Sequence, residues 1–244
     1  MNLQGKNILI TGAYTGIGLA TAKYCLEHDA RIFVNVKDQE MVSPVLNALS
    51  NEVTVLQYDV SDVNAVKSAF TTIKEDTGAQ LDGLVNNAGI FREESFLETS
   101  LEQFSELLDV NVKATFFHTQ LATKMMLPRK TGSIVNMCSY VGTHGAAYFA
   151  AYASTKGSIA SMTMSIAKEV GADNIRVNGV APGFIESNMT AHYQDDVHDI
   201  LMTNIAMRRP GKADEVAKAV GFLLSEESSY VSGQILEVDG AAYF

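Results

Sequence analysis

The sequence predicts a doubly wound α/β fold. Three observations point to it: short β-branched runs alternate with longer helical stretches, the short runs are apolar almost without interruption, and the first leads directly into a glycine-rich turn. Parallel strands covered on both faces read as unbroken apolar runs, and strand–helix alternation at this rhythm marks βαβ units.

The first strand is expected at residues 7–10, where Ile8, Leu9 and Ile10 follow one another, and the first helix at 16–28. The second strand, 31–36, is built on Ile32, Phe33 and Val34, and a helix at 39–50 follows. The third strand, 52–57, contains Val53, Val55 and Leu56; the helix after it, 62–76, has Ser61 as its expected N-cap. The fourth strand, 83–86, leads to a long helix, 101–127, whose start carries a capping box from Ser100 to Gln103. Strand 132–138 precedes helix 151–171, strand 175–180 precedes helix 213–225, and the last strand is 234–238. No repeat, low-complexity tract or proline-rich linker interrupts the pattern, so residues 1–244 are expected to form one domain.

Composition narrows the function. With 18 Lys+Arg against 28 Asp+Glu the formal net charge is −10, and 47% of the residues are apolar. Nucleic acids and anionic membranes both call for a basic field, so neither is an expected partner. No apolar run approaches the roughly 20 residues that span a bilayer. The glycine turn cuts the first apolar run short, so no secretory signal is expected. Cys25 and Cys138 are too few for a disulfide framework or a zinc site, which points to a reducing, cytoplasmic setting and no metal.

Ligands of an open parallel sheet sit beyond the carboxyl ends of its strands. After the first strand comes Thr11-Gly12-Ala13-Tyr14-Thr15-Gly16-Ile17-Gly18. Gly12 permits the turn, Gly16 lets backbone approach a pyrophosphate, and Gly18 lets helix and strand pack closely, while the helix N-terminus offers free N–H groups to phosphate. The spacing is G-x-x-x-G-x-G rather than G-x-G-x-x-G. Past the second strand, Lys37 favours a 2′-phosphate and hence NADP(H), whereas Asp38 turned inward favours NAD(H). Asp59, with Val60 after the third strand, stands where an adenine amino group is bonded, or else in the cap region of the next helix. Asn87, Ala88 and Gly89 follow the fourth strand and line a cofactor or tie strand ends together.

The chemical signal is Tyr152-Ala153-Ser154-Thr155-Lys156 at a helix start. Tyr152 and Lys156 share a face, with Cβ atoms about 5–6 Å apart. An ammonium there is expected to pull the phenol below its usual value of about 10 and make it a general acid or base. Ser139, ending the fifth strand, adds a second hydroxyl for the same carbonyl oxygen.

Thr11–Gly18, Asn86–Gly89, Asn111, Ser139, Tyr152, Lys156 and Pro182-Gly183, in that order over essentially the whole chain, resemble the short-chain dehydrogenase/reductase family. Within it the chain is most similar to the 3-oxoacyl-[acyl-carrier-protein] reductases, from its opening Met1–Lys6 and the stretch Val180–Glu186. The resemblance implies a single Rossmann-type domain with seven parallel strands. It implies that Tyr152 gives a proton to the carbonyl as hydride arrives and that Ser139 holds the substrate oxygen. Lys156 would tune Tyr152 and bond the nicotinamide ribose. Asn111 would kink the long helix and anchor a proton-relaying water, and Pro182, Gly183, Ile185 and Ser187 would close over the nicotinamide.

The sequence departs from that branch at Thr15, where a basic residue often meets the 2′-phosphate; with Lys37 opposing it, the expectation leans to NADP(H) over NAD(H). An acyl carrier protein is a candidate partner, with Lys124, Arg129 and Lys130 as part of a basic docking patch near the active-site entrance, though a solvated helix end explains the trio as well. Residues 187–209 are expected to form a substrate lid holding Met189, His192, Tyr193, His198, Met202 and Met207; His192 and His198 fall on different sides of a helix, which disfavours a metal pair. His144, Tyr148 and Phe149 are pocket or core residues. The long helices and the apolar C-terminal stretch imply a homotetramer. The rivals are an NAD-linked dehydrogenase of a small alcohol, sugar or steroid, and a catalytically idle dinucleotide sensor on the same fold.

Overall fold

The computed structural model describes residues 2–49, 53–186 and 202–243. Seven strands form one sheet: β1 Asn7–Ile10, β2 Arg31–Val36, β3 Thr54–Gln57, β4 Gly83–Asn86, β5 Gly132–Met137, β6 Ile175–Pro182 and β7 Ile235–Val238. Every pairing is parallel, in the order β3-β2-β1-β4-β5-β6-β7. The order reverses between β1 and β4, and at such a switch point the carboxyl ends diverge and open a ligand crevice. β6 runs two residues past its expected end because Ala181 and Pro182 pair with Glu237 and Val238.

Alternating side chains divide the core between the two faces of the sheet. Ile8 and Ile10 pack on one face with Cys25 of helix α1 (Gly16–Glu27) and with Val216, Val220 and Leu224 of α8 (Ala213–Leu224). Leu9 and Phe33 pack on the other with Val66, Phe70 and Ile73 of α3 (Val63–Thr77), Met126 of α5 (Ala114–Met126) and Val170 of α7 (Ala150–Val170). Each such fully buried aliphatic or aromatic side chain contributes about 1.5–3 kcal/mol, so both helical layers are needed to hold the sheet.

Three helices differ from expectation. The 39–50 segment is a 3₁₀ turn, Gln39–Met41, followed by α2, Val42–Leu49, which places Pro44 in a first turn, where its missing N–H costs nothing. The helix after β3 is capped by Asp62, not Ser61: the Asp62 carboxylate accepts from the Asn64 and Ala65 amides, while Ser61 is taken up by Asp59. The long 101–127 helix is broken into α4 (Leu101–Leu107, with the Ser100–Gln103 capping box formed), a π-helical turn at Leu108–Lys113, and α5. Asn111 lies buried in that π turn; such bulges frequently mark functional sites. A short helix not expected from the sequence, α6 (Tyr140–His144), follows Ser139.

Candidate active site

The glycine loop is fixed by polar side chains from neighbouring strands. Thr11 Oγ1 accepts from the amides of Asn87 and Ala88 at 3.0 Å each, and Asn87 Nδ2 donates to the carbonyls of Thr11 (3.1 Å) and Gly12 (2.9 Å). Gly12, at φ +64, passes so close to Ala88 that a Cβ would stand 2.8 Å from the Ala88 Cα, and a Cβ on Gly18 would meet the Gly12 carbonyl. α1 then begins with no side-chain cap on its N-terminus and no acidic residue in its first turn, and open space lies where Gly16 lacks a Cβ. Uncapped helix amides beside a bare glycine fit a pyrophosphate. Tyr14 is partly exposed, Thr15 occupies the N-cap position and Ile17 packs on the core.

At the far end of the crevice Lys37 Nζ pairs with Asp59 Oδ2 at 3.0 Å. The hydrogen bond and charge of Asp59 hold Lys37 above the usual lysine range. Burial pushes the Asp59 carboxyl up, but bonds from Ser61 and Lys37 outweigh it and hold it low. The two residues expected to meet different parts of an adenosine therefore meet each other, in a groove of about 490 Å³ whose other wall includes Glu102, Glu106, Asp109 and Val110. Val60 packs on the core.

The chemistry gathers at the ends of β4 and β5. Ser139 leaves β5 and starts α6, and α6 lies against α7 so tightly that a Cβ on Gly142 would stand 2.7 Å from the Lys156 Cβ. This contact brings Ser139 beside Tyr152, where its hydroxyl favours the ionised phenol. Lys156 is 6% exposed; its Nζ donates to the Met137 carbonyl at 2.8 Å and stands 5.7 Å from the centre of the Tyr152 ring. Burial pushes Tyr152 up to about 12, against the pull of the nearby Ser139 hydroxyl, and burial pulls Lys156 down to about 8. The phenol is thus raised, not lowered as the spacing predicts: desolvation disfavours both charged forms, and Lys156 is not among the groups that shift Tyr152. Asn111 Oδ1 accepts from the Ile90 amide at 2.8 Å and its Nδ2 donates to the Ile90 carbonyl and to Thr155 Oγ1. Asn111 Oδ1 and Lys156 Nζ both border the space over Gly89, where a Cβ would stand 3.1 Å and 3.7 Å from them.

Pro182 and Gly183 end β6 at the same edge; Ile185 is buried and its stretch pairs with Gly211. Ser187, with Met189, His192, Tyr193 and His198 of the expected lid, lies outside the described residues. Cys138 is buried and its thiol pushed up to about 11 by desolvation, as a small apolar residue would be. His144 stacks on Tyr140 and faces Glu237 rather than Tyr152.

The expected basic patch is not at the entrance. Arg129 pairs with Asp82 (2.7 Å) and Lys130 with Asp173 (3.5 Å), beside the starts of β4 and β6, and Lys124 is in the last turn of α5. All three sit at the amino edge of the sheet, opposite Tyr152, because a helix that follows a parallel strand runs back toward that edge.

Two residues escaped the sequence reading. Asn35, buried in β2, accepts from the Gly12 amide and donates to the Tyr58 carbonyl, tying the glycine loop to the end of β3; a polar residue inside an apolar strand was the available signal. Phe91 meets Tyr152 edge-on, ring centres 5.1 Å apart, and the sequence carries no signal for that contact.

The family model described as enoyl-(acyl carrier protein) reductase matches residues 12–241. A 3-oxoacyl-[acyl-carrier-protein] reductase of Thermotoga maritima is 37% identical over 243 residues, covering 98% of each chain. A 3α-hydroxysteroid dehydrogenase of Mediterraneibacter gnavus is 36% identical over 247 residues, 99% of this chain and 98% of the other. Among solved structures, a protein of Agrobacterium tumefaciens provisionally designated a gluconate dehydrogenase superposes with TM-score 0.93 at 29% identity (98% and 96% covered), and one provisionally designated a β-ketoacyl-ACP reductase with TM-score 0.89 at 32% (98% of each).

Proposed function

The chain belongs to the short-chain dehydrogenase/reductase family and is an oxidoreductase acting between CH–OH and C=O, and we propose that Ser139, Tyr152, Lys156 and Asn111 are its catalytic set, working in one domain. The observation that carries this reading is the buried Lys156, bonded to the Met137 carbonyl with its Nζ 5.7 Å from the centre of the Tyr152 ring, and Ser139 beside that phenol, at the carboxyl edge that also bears the uncapped end of α1. Two hydroxyls converging on one point suit an oxygen on the reacting carbon. Tyr152, held protonated at neutral pH by burial, donates to that oxygen in reduction; Ser139 positions it. Lys156 restores the proton from behind, and Asn111, locked to Ile90, fixes the backbone around it. Bound in the crevice, a nicotinamide dinucleotide supplies or accepts the hydride.

The preferred substrate is a 3-oxoacyl thioester, the class in the name of the Thermotoga maritima relative. The alternative, an NAD-linked dehydrogenase of a small alcohol, sugar or steroid, draws on the hydroxysteroid relative. Loss of reduced-nicotinamide absorbance against acetoacetyl thioesters, diketones and simple sugars tests the reading: turnover of a carbonyl is expected, and dinucleotide binding without turnover of any would leave the idle sensor standing.

For the cofactor, NADP(H) requires Lys37 to exchange Asp59 for the 2′-phosphate. NAD(H) leaves the ion pair intact, and the acids of α4 facing Lys37 favour it as the second reading. Lys37→Ala decides: under the NADP(H) reading it raises the KM for NADPH by about tenfold, the worth of a charge-assisted bond, and leaves that for NADH unchanged. Equal effects on both would contradict a phosphate contact.

An acyl carrier protein stays a candidate partner. Phe116 of α5 and Met164 of α7, 50% and 40% exposed, with Leu236 and Tyr243 near the last strand, support a homotetramer, which light scattering checks. The two unpaired, buried cysteines suit a cytoplasmic protein.

A further inference from the structure

We propose that Phe91 and Phe149 form an aromatic wall beside Tyr152 that sets the substrate class, favouring carbonyl compounds with an apolar chain or ring next to the reacting carbon over polyols and sugar acids. The inference rests on the oxidoreductase reading of the same site. Phe91 lies edge-on to Tyr152 at 77°, ring centres 5.1 Å apart, and Phe149 packs on Phe91 at 5.6 Å. Both rings are half-buried, so each covers a neighbour with one part and leaves another open.

The wall is held in place. Asn111 takes both the amide and the carbonyl of Ile90, fixing the residue before Phe91. Phe149 occupies the N-cap position of α7, where its carbonyl accepts from the Ala153 amide. The Glu94 amide donates to the Tyr148 carbonyl at 2.8 Å, tying the loop after β4 to the loop before α7. The Tyr152 hydroxyl marks where the carbonyl oxygen must sit, so the nearest flank of the substrate meets these rings. Neither ring offers a hydrogen bond, and a hydroxyl pressed against them loses water without replacement. A methylene there gains about fourfold in affinity. The desolvation of Tyr152 agrees with an apolar surround.

The test compares a chain-length series, acetoacetyl, 3-oxohexanoyl and 3-oxooctanoyl pantetheine thioesters, with a ketose, for the wild type, Phe91→Ala, Phe149→Ala and Phe91→Leu. In the wild type kcat/KM rises about tenfold or more from the four- to the six-carbon acyl group. Phe91→Ala and Phe149→Ala compress that ratio toward one, and Phe91→Leu restores most of it. The ratio cancels any common effect on Tyr152. Calorimetric binding of the matching 3-hydroxyacyl thioesters reads the same dependence without turnover. A length dependence unaltered in the alanine variants, or a ketose preferred by the wild type, overturns the wall. A wild type that turns over no carbonyl yet binds the longer 3-hydroxyacyl chains more tightly supports the wall while refuting the enzyme.

Discussion

The two ends of the cleft are built by different means. At the dinucleotide end, Thr11, Asn35 and Asn87 hold the backbone of a loop through directional hydrogen bonds, and the surface offered to a ligand is backbone. At the substrate end, the rings of Phe91 and Phe149 lie against Tyr152 and present shape without hydrogen bonds. The first arrangement has almost no tolerance, since a displaced carbonyl loses its partner. The second can be recut one side chain at a time. One scaffold can thus keep a dinucleotide while its substrate changes, as the differing designations of its relatives suggest.

Gly12→Ala should break the dinucleotide end most severely. The left-handed φ alone costs about 1–2 kcal/mol for a residue with a Cβ, and the Cβ would press on Ala88. Dinucleotide Kd, by fluorescence titration, should rise about tenfold or more; an unchanged Kd would mean the loop is less constrained than its bonds indicate.

The pH profile probes the seam between the two ends. Burial lowers Lys156 to about 8 and raises Tyr152 to about 12, so the first proton lost on raising pH is the ammonium's. In the reductive direction kcat/KM should fall through about pH 8, by up to about tenfold per unit. A profile flat to pH 10 would contradict a required Lys156 charge.

One effect lies under neither end and leaves turnover at neutral pH untouched. His118 on α5 is buried, its Nε2 bonded to the Tyr58 hydroxyl at 3.0 Å, and burial lowers it to about 4. The unfolded chain therefore binds a proton that the folded one refuses. The stability is fully present above about pH 6.5 and declines toward pH 4, by about 3 kcal/mol in all. Urea unfolding at pH 7 and pH 4.5 should show that slope, reduced in His118→Gln; acid loss of activity would then originate in the core and spare the comparison of the two ends.

Much of this was legible beforehand because it is local. Strands β1, β2 and β4 lie where their apolar runs end, and the Tyr152–Lys156 spacing marks one helical face. Other features are not local. The Phe91–Tyr152 contact joins residues on separate loops, and the phenol's rise to about 12 depends on burial that only the assembled fold supplies. The break at Leu108–Lys113 inserts a π turn into a pattern that reads as continuous helix. Asp62 took the cap expected of Ser61 because Asp59, held by Lys37, claimed the serine first. Lys124, Arg129 and Lys130 lie at the amino edge because the helix after a parallel strand runs back toward it, a direction set by the topology and not by local composition.

In the proposed reaction the Tyr152 hydroxyl delivers the proton. Single-turnover hydride transfer in Tyr152→Phe, with dinucleotide Kd measured on the same sample, tests it most directly. The rate should drop by about 10²–10⁴ while Kd stays within about twofold of wild type. Undiminished transfer, or a Kd that weakens in step with the rate, would contradict it.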